Sequence, residues 1–183
     1  LLNSISAVFL ILLLAMSSFA AALWSYYYTS TENDLSRKAT SMASGFRNYT
    51  RSDYRAAAQQ AVNNYAEKSQ LELQFLDVTG AVLYSGNALA AGTTPGTHIQ
   101  DALENQEVSV WMGEDPATGE RIAAASCPVA YQGTTVGVIR YVTSLAAIDR
   151  QFIFAMAVII TICLAIFAMV YFSNLYFVRS IVE

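Results

Sequence analysis

Residues 119–152 read GERIAAASCPVAYQGTTVGVIRYVTSLAAIDRQF. Two runs rich in small and β-branched residues, 120–129 and 135–143, flank Gln132-Gly133-Thr134, a turn signal with its glycine in place. Strands joined this closely pair antiparallel. A few residues beyond the second strand, Asp149 and Arg150 are the last charges before an apolar stretch that opens at Phe152. A β-strand therefore feeds almost directly into a helix of membrane length. The fold class follows from that junction: an α+β protein in which a small antiparallel sheet is tied to a membrane span.

The apolar stretch is residues 152–177 (FIFAMAVIITICLAIFAMVYFSNLYF), and residues 5–28 (ISAVFLILLLAMSSFAAALWSYYY) form a second one. Neither contains Gly, Pro or a charge. A hydrocarbon core about 30 Å thick needs roughly 20 helical residues, and both runs exceed that. Trp24, Tyr26, Tyr27 and Tyr28 close one run, and Tyr171, Phe172, Tyr176 and Phe177 close the other, as interfacial belts do. The rival for the first run is a cleaved signal peptide, with an apolar core at 8–16 and small residues at 17–22, but the apolar character continues through Leu23 and Trp24.

Charge placement supports two spans. The 183 residues hold 10 Lys+Arg and 14 Asp+Glu, or 13% charged, against about 25% in soluble domains. No charge precedes Glu32 and none lies between Arg150 and Arg179. With 55% hydrophobic residues, neither a cytosolic globule nor a disordered chain fits. Two spans put both ends on one side of a membrane and residues 29–150 on the other. Arg179 favours a cytoplasmic C-terminus, while Arg150 argues mildly against it. The first residue is Leu1 and the last, Glu183, follows directly on the second span, as expected of part of a longer protein. The net charge of −4 speaks against a nucleic-acid partner.

Residues 29–70 contain no Pro and only Gly45, and are rich in Ala, Gln, Glu and Arg, which predicts a long helix. Thr31 or Asn33 is its expected cap, with Glu32 and Asp34 in the first turn. Leu35, Ala39, Met42, Phe46 and Tyr49 repeat at 4-3 spacing, and after a slip Tyr54, Ala58, Ala61 and Tyr65 resume it. An unbroken helix of this length, roughly 55–60 Å, outreaches a small domain, so part of the stripe is expected to meet the same helix of a second subunit.

From Leu71 the period becomes two. Leu71, Leu73 and Phe75 alternate with Glu72 and Gln74, Asp77-Val78-Thr79-Gly80 forms a turn, and 81–84 returns as a second strand. Residues 85–97 read as an irregular loop and 97–103 as a short helix with Thr97 as cap and Ile99, Ala102 and Leu103 inward. Residues 107–112 make a third strand, and 113–119 turn into the fourth and fifth, already described. The expected product is a five-stranded antiparallel sheet with helices on one face.

Three segments, 75–84 (FLDVTGAVLY), 119–129 (GERIAAASCPV) and 137–145 (GVIRYVTSL), together with this element order, resemble the input half of a bacterial two-component sensor histidine kinase. The resemblance implies a PAS-like or single-Cache sensor domain (71–145) outside the cytoplasm of a two-pass cell-membrane protein. Transmembrane helices at 5–28 and 152–177 would flank the sensor helix 29–70 and that domain, and 178–183 would begin the linker to a HAMP unit. It further implies protein-histidine autophosphorylation in a kinase unit that follows. Chemoreceptors and cyclase receptors share this input layout, and a ligandless PAS-like module that dimerises or binds a partner protein is a further alternative. Expected partners are membrane lipid, a second copy of the chain through 29–70 and the transmembrane helices, and an unknown small ligand or partner protein.

The residues themselves show no catalytic set: no glycine-rich phosphate loop with a Lys, and one histidine only, His98. No His or Cys stands near His98 at zinc-ligand spacing, so neither metal nor cofactor is expected. The resemblance places His98 outside the cytoplasm, away from ATP, which removes it as a phospho-acceptor. Cys127 and Cys163 fall at different levels and are expected to stay unpaired, Cys127 as a small buried hydrophobe. On the fifth strand Val136, Val138, Arg140 and Val142 share a face, so Arg140 stands in an apolar row and must be paired, solvent-reaching or facing an anionic ligand. Arg121, Tyr84, Trp111 and Tyr131 are further candidates for lining a pocket under the 85–97 loop. Ser126 joins them at the end of Ala123-Ala124-Ala125, whose small side chains leave space on the sheet.

Overall fold

The computed structural model describes residues 2–65, 71–86 and 97–182. The chain divides into two compact units, Leu1–Tyr28 with Ile148–Glu183, and Thr29–Ala147.

In the first unit, α1 (Leu2–Trp24) and the bulk of α5 (Ala146–Val182) carry the two apolar runs. Both helices are long and apolar enough to cross a membrane. They lie antiparallel: Phe9 meets Phe167 edge-on at 6.2 Å, and Trp24 meets Phe152 edge-on at 6.0 Å. The expected cap at Thr31 or Asn33 does not form. Helix continues past Trp24 through a π-helical turn, Ser25–Thr29, into α2 (Ser30–Gly45). No Gly or Pro interrupts this stretch, so one extra residue is absorbed as a π-turn rather than a break. Within the first unit this turn holds Tyr28, whose hydroxyl donates to Asp149 Oδ1 at 2.5 Å while its ring stacks on Trp24 and meets Phe152.

In the second unit the helical region is two helices rather than one. α2 ends at Gly45, and α3 (Arg51–Asn64) starts anew with Thr50 as its cap, accepting from the Asp53 amide. The break falls on the slip in the apolar repeat between Tyr49 and Tyr54. α3 gives way to extended backbone at Tyr65, and the rest of the expected helix, 66–70, lies outside the described residues. Of the predicted stripe, Leu35, Ala39, Phe46, Tyr54 and Ala58 are buried within the single chain, whereas Met42, Ala61 and Tyr65 are half-buried and Tyr49 is exposed. Breaking the helix lets both halves follow the sheet.

The sheet has five antiparallel strands in the order β2-β1-β5-β4-β3. They are β1 (Glu72–Leu76), β2 (Val82–Ser85), β3 (Ser109–Glu114), β4 (Arg121–Tyr131) and β5 (Thr134–Ser144). The β1–β2 turn is held by Asp77, whose Oδ1 accepts from the Thr79 and Ala81 amides at 2.8 and 3.0 Å, with Gly80 at φ +83° completing it. On one face Phe46 and Tyr54 pack on Phe75, and Tyr65 meets Tyr141. The single Tyr54 hydroxyl proton is shared between two main-chain carbonyls, Leu76 O at 3.1 Å and Val138 O at 3.0 Å. On the opposite face α4 (Thr97–Asn105) sets Ile99 against Leu76 and Val138. Helices thus cover both faces, not one as the pattern predicts, and this makes β1 and the middle of β5 fully buried. The expected loop at 85–97 lies mostly outside the described residues.

Candidate functional site

Strand register lays one polar row across the α4-facing side of the sheet. Gln74 of β1 and Ser126 of β4 both stand opposite Arg140 of β5, and Ser85 and Ser109 extend the row to the edge strands. Arg140 is 1% exposed, an arginine in the middle of a sheet core. Such a cation demands partners. Its Nε donates to His98 Nε2 at 3.2 Å and its Nη1 donates to Gln74 Oε1 at 3.0 Å. The same Gln74 amide donates through Nε2 to Glu72 Oε1 at 3.2 Å, and the Ser85 hydroxyl donates to that carboxylate oxygen as well. A chain of hydrogen bonds therefore runs from His98 through Arg140 and Gln74 to Glu72, all buried.

His98 reaches the row from the first turn of α4. Its ring stacks on Trp111 of β3, nearly parallel at 8° with centroids 5.4 Å apart. Trp111 lies over Gly113, where a Cβ would come within 2.4 Å of the indole, and packs against Ile122, Ala124 and Val142. Burial and then the charge of Arg140 push the His98 pKa down to about 4. The imidazole is neutral at physiological pH. Since Nε2 accepts from Arg140, the ring proton resides on Nδ1, and Nδ1 has no partner among the described residues. The buried Ser126 hydroxyl is likewise without one. Burial also draws the Arg140 pKa down to about 10, opposed by the carboxylates of Asp115 and Glu72, so the guanidinium stays charged at neutral pH. Asp115 is itself buried, in the β3–β4 turn, and accepts from the Thr118 hydroxyl at 2.8 Å.

A neutral buried histidine makes stability acid-sensitive. Its folded pKa, about 4, lies below the ordinary 6.5, so the unfolded chain binds the extra proton first. The contribution is complete above pH 6.5 and drains away as pH falls from 6.5 to 4, amounting to on the order of 3 kcal/mol. Unfolding of the chain in nanodiscs at pH 7, 6, 5 and 4 is expected to show this loss. His98→Gln, which can still accept from Arg140 but does not titrate, should flatten it. An acid limb of equal steepness in the variant would contradict the assignment.

Of the residues singled out from sequence, Arg140, Ser126 and Trp111 come together here. Arg121, Tyr84 and Tyr131 do not. Arg121 alternates onto the helix-covered face, where its carbonyl accepts the Leu145 amide, and Tyr84 pairs with Phe75 on that same face. Tyr131 stands at the β4–β5 hairpin, five residues along the strand from Ser126, with its hydroxyl bonded to Gln132. Cys127 faces the helices, buried, and burial pushes its thiol pKa up, in keeping with a small apolar filler. His98, Gln74, Glu72 and Asp115 escape sequence inspection. The one signal was Arg140 itself: a cation in an apolar row implies polar partners on the strands beside it. Among the described residues no cluster of three potential metal ligands occurs.

The fold, a five-stranded antiparallel sheet with a helical stretch on one face and a short helix on the other, is similar to that of solved Cache-like sensor domains. Solved structures with this fold include the ligand-binding domain of the Pseudomonas aeruginosa amino-acid chemoreceptor PctC in complex with GABA (TM-score 0.55, 19% identity, 73% of this chain and 61% of that one). The ligand-binding domain of the Campylobacter jejuni chemoreceptor Tlp3 with L-valine is similar too (TM-score 0.61, 12% identity, 81% of this chain and 66% of that one). So is the sensor domain of the Vibrio cholerae histidine kinase DctB (TM-score 0.50, 15% identity, 75% of this chain and 59% of that one). This chain spans less than two thirds of each of them. No family model matches the sequence, and no curated protein is similar to it in sequence.

Proposed function

We propose that the chain is the input half of a two-pass membrane receptor, most simply a sensor histidine kinase. Its sheet domain lies outside the cytoplasm, reads a small ligand at the Arg140 row and passes its state through the second span to a cytoplasmic output. The observation that carries this is the position of Arg140 on β5: the strand ends at Ser144 and α5 begins at Ala146, so Leu145 alone separates the site's own strand from the membrane helix. A ligand with different affinity for two arrangements of the row biases whatever α5 does with them. Solved domains of this fold hold small organic molecules, GABA in PctC and L-valine in Tlp3, which supports a small-molecule stimulus. The chemoreceptor examples equally favour a methyl-accepting output, and phosphotransfer from ATP by the full-length protein separates the two. A homodimer through the 29–64 helices and the spans is part of the proposal.

Cysteine pairs placed along 152–177 test transmission. Their crosslinking is expected to differ between signalling states of the full-length receptor, and identical patterns in every state would sink the mechanism. The Tyr28–Asp149 hydrogen bond ties the two membrane helices at one end of the pair. A bond to an ionised group contributes about 1.5–3 kcal/mol. Tyr28→Phe is therefore expected to loosen a disulfide reporter between positions 24 and 152, with unchanged crosslinking between 9 and 167.

A further inference from the structure

On the reading that α5 carries the state of the Arg140 row to the second span, the joint between strand and helix decides how much is carried. A strand and a helix linked by one residue can swing about that residue's dihedral angles, and a shift of β5 would be lost there. This joint is held at three points. Leu145, the linking residue, is fully buried, and its amide donates to Arg121 O at 2.8 Å. The Ser144 hydroxyl accepts from the Ala146 amide at 3.2 Å, satisfying the first open donor of α5. The same hydroxyl donates its own proton to the Glu120 carboxylate. One serine therefore ends the strand, starts the helix and is aimed by an acid at the foot of β4.

Glu120 in turn closes the β3–β4 turn. Its carbonyl accepts from the Asp115 amide at 2.8 Å, and the Gly119 amide donates to Asp115 O at 2.8 Å. The Thr118 hydroxyl donates to Asp115 Oδ2 at 2.8 Å and accepts from the Glu120 amide at 3.3 Å. Asp115 is 1% exposed, and its charge acts on Arg140 more strongly than that of Glu72. Arg140 is thus connected to α5 by two routes, one along β5 and one through Asp115, the turn and Glu120, and they converge on Ser144. We propose that Ser144 and Glu120 are positioning residues for signalling across the membrane: Glu120 aims the Ser144 hydroxyl, Ser144 fixes the first turn of α5, and the helix follows the β3–β4 turn as well as β5. A pair that only stabilised the domain would leave the response of the span to the row untouched.

The test uses the full chain in nanodiscs, with a disulfide pair at positions 24 and 152 reporting on the spans. Asp115→Asn perturbs the row, removing a charge while its amide oxygen can still accept from Thr118. Ser126→Ala, opposite Arg140 on β4, is a second perturbation that does not depend on the first one folding. With the joint intact, each is expected to change the crosslinking rate about threefold or more. Ser144→Ala and Glu120→Ala should abolish that change, and Ser144→Thr, which keeps the hydroxyl, should preserve it. Hydrogen exchange at the Ala146 amide should quicken about tenfold in Ser144→Ala. A response that persists in Ser144→Ala and Glu120→Ala overturns the joint while the receptor reading stands, even if both variants melt earlier. A response lost in Ser144→Thr as well as in Ser144→Ala assigns the effect to packing and overturns it too. No response to either perturbation with the joint intact overturns transmission through α5, and the joint with it.

Discussion

Arg140→Leu is expected to lower the unfolding free energy by about 3–5 kcal/mol, the cost of removing one member of a buried charged network. The variant would keep the apolar packing around the β5 backbone but remove the donors that Arg140 gives His98 Nε2 and Gln74 Oε1, and with them the positive charge that Asp115 and Glu72 act on. Thermal or chemical unfolding in nanodiscs measures the loss. The relay through Gln74 gives a sharper check. Because Glu72 reaches Arg140 through that amide, Glu72→Gln in the Arg140→Leu background should cost less than in the wild-type chain, a non-additivity of about 1 kcal/mol or more. Strict additivity would mean that the two charges do not share a network.

Gly137→Ala should be almost as damaging, for a steric reason. A Cβ at position 137 would stand 2.4 Å from Cε1 and Cζ of Tyr54 and 2.6 Å from its hydroxyl oxygen. The tyrosine ring lies on the bare backbone of β5, and from there its hydroxyl reaches the Leu76 and Val138 carbonyls on adjacent strands. A methyl group lifts the ring and breaks both bonds. Overpacking costs about 1–3 kcal/mol, and the two contacts, which share one hydroxyl proton, about 1 kcal/mol together, so a loss of about 2–4 kcal/mol is expected. In a Tyr54→Ala background the same substitution should be nearly neutral, since the atoms it meets are gone. A cost that persists there would place the strain in the backbone instead.

Period-two alternation and turn chemistry located all five strands within a few residues, because hairpin residues such as Asp77, Gly80 and Gly133 act locally. The same alternation left half of β1 unplaced. Leu73 and Phe75 were legible as one face, with Glu72 and Gln74 alternating on the other, and all four are buried. Alternation reports two faces but not whether a second layer covers the polar one. That layer is α4, and its short, weakly apolar sequence gives little notice of which face it takes. His98 shows the same limit: a lone histidine next to a loop looks polar and idle until Trp111 and Arg140 are found around it.

By itself, then, the sequence determined what depends on neighbours in the chain. Two charge-free runs are long enough to span a bilayer, the hairpins set the antiparallel meander, and Arg140 stands out in an apolar row. Only the tertiary structure decided what depends on distant segments. Pairing of β1 with β5 brought Gln74 and Glu72 beside Arg140, across more than sixty residues of chain, and packing of α4 on the face opposite α2 and α3 closed His98 over them. The physical reason is that a buried cation is tolerable only where several strands converge on it. No single segment carries that arrangement in its own pattern.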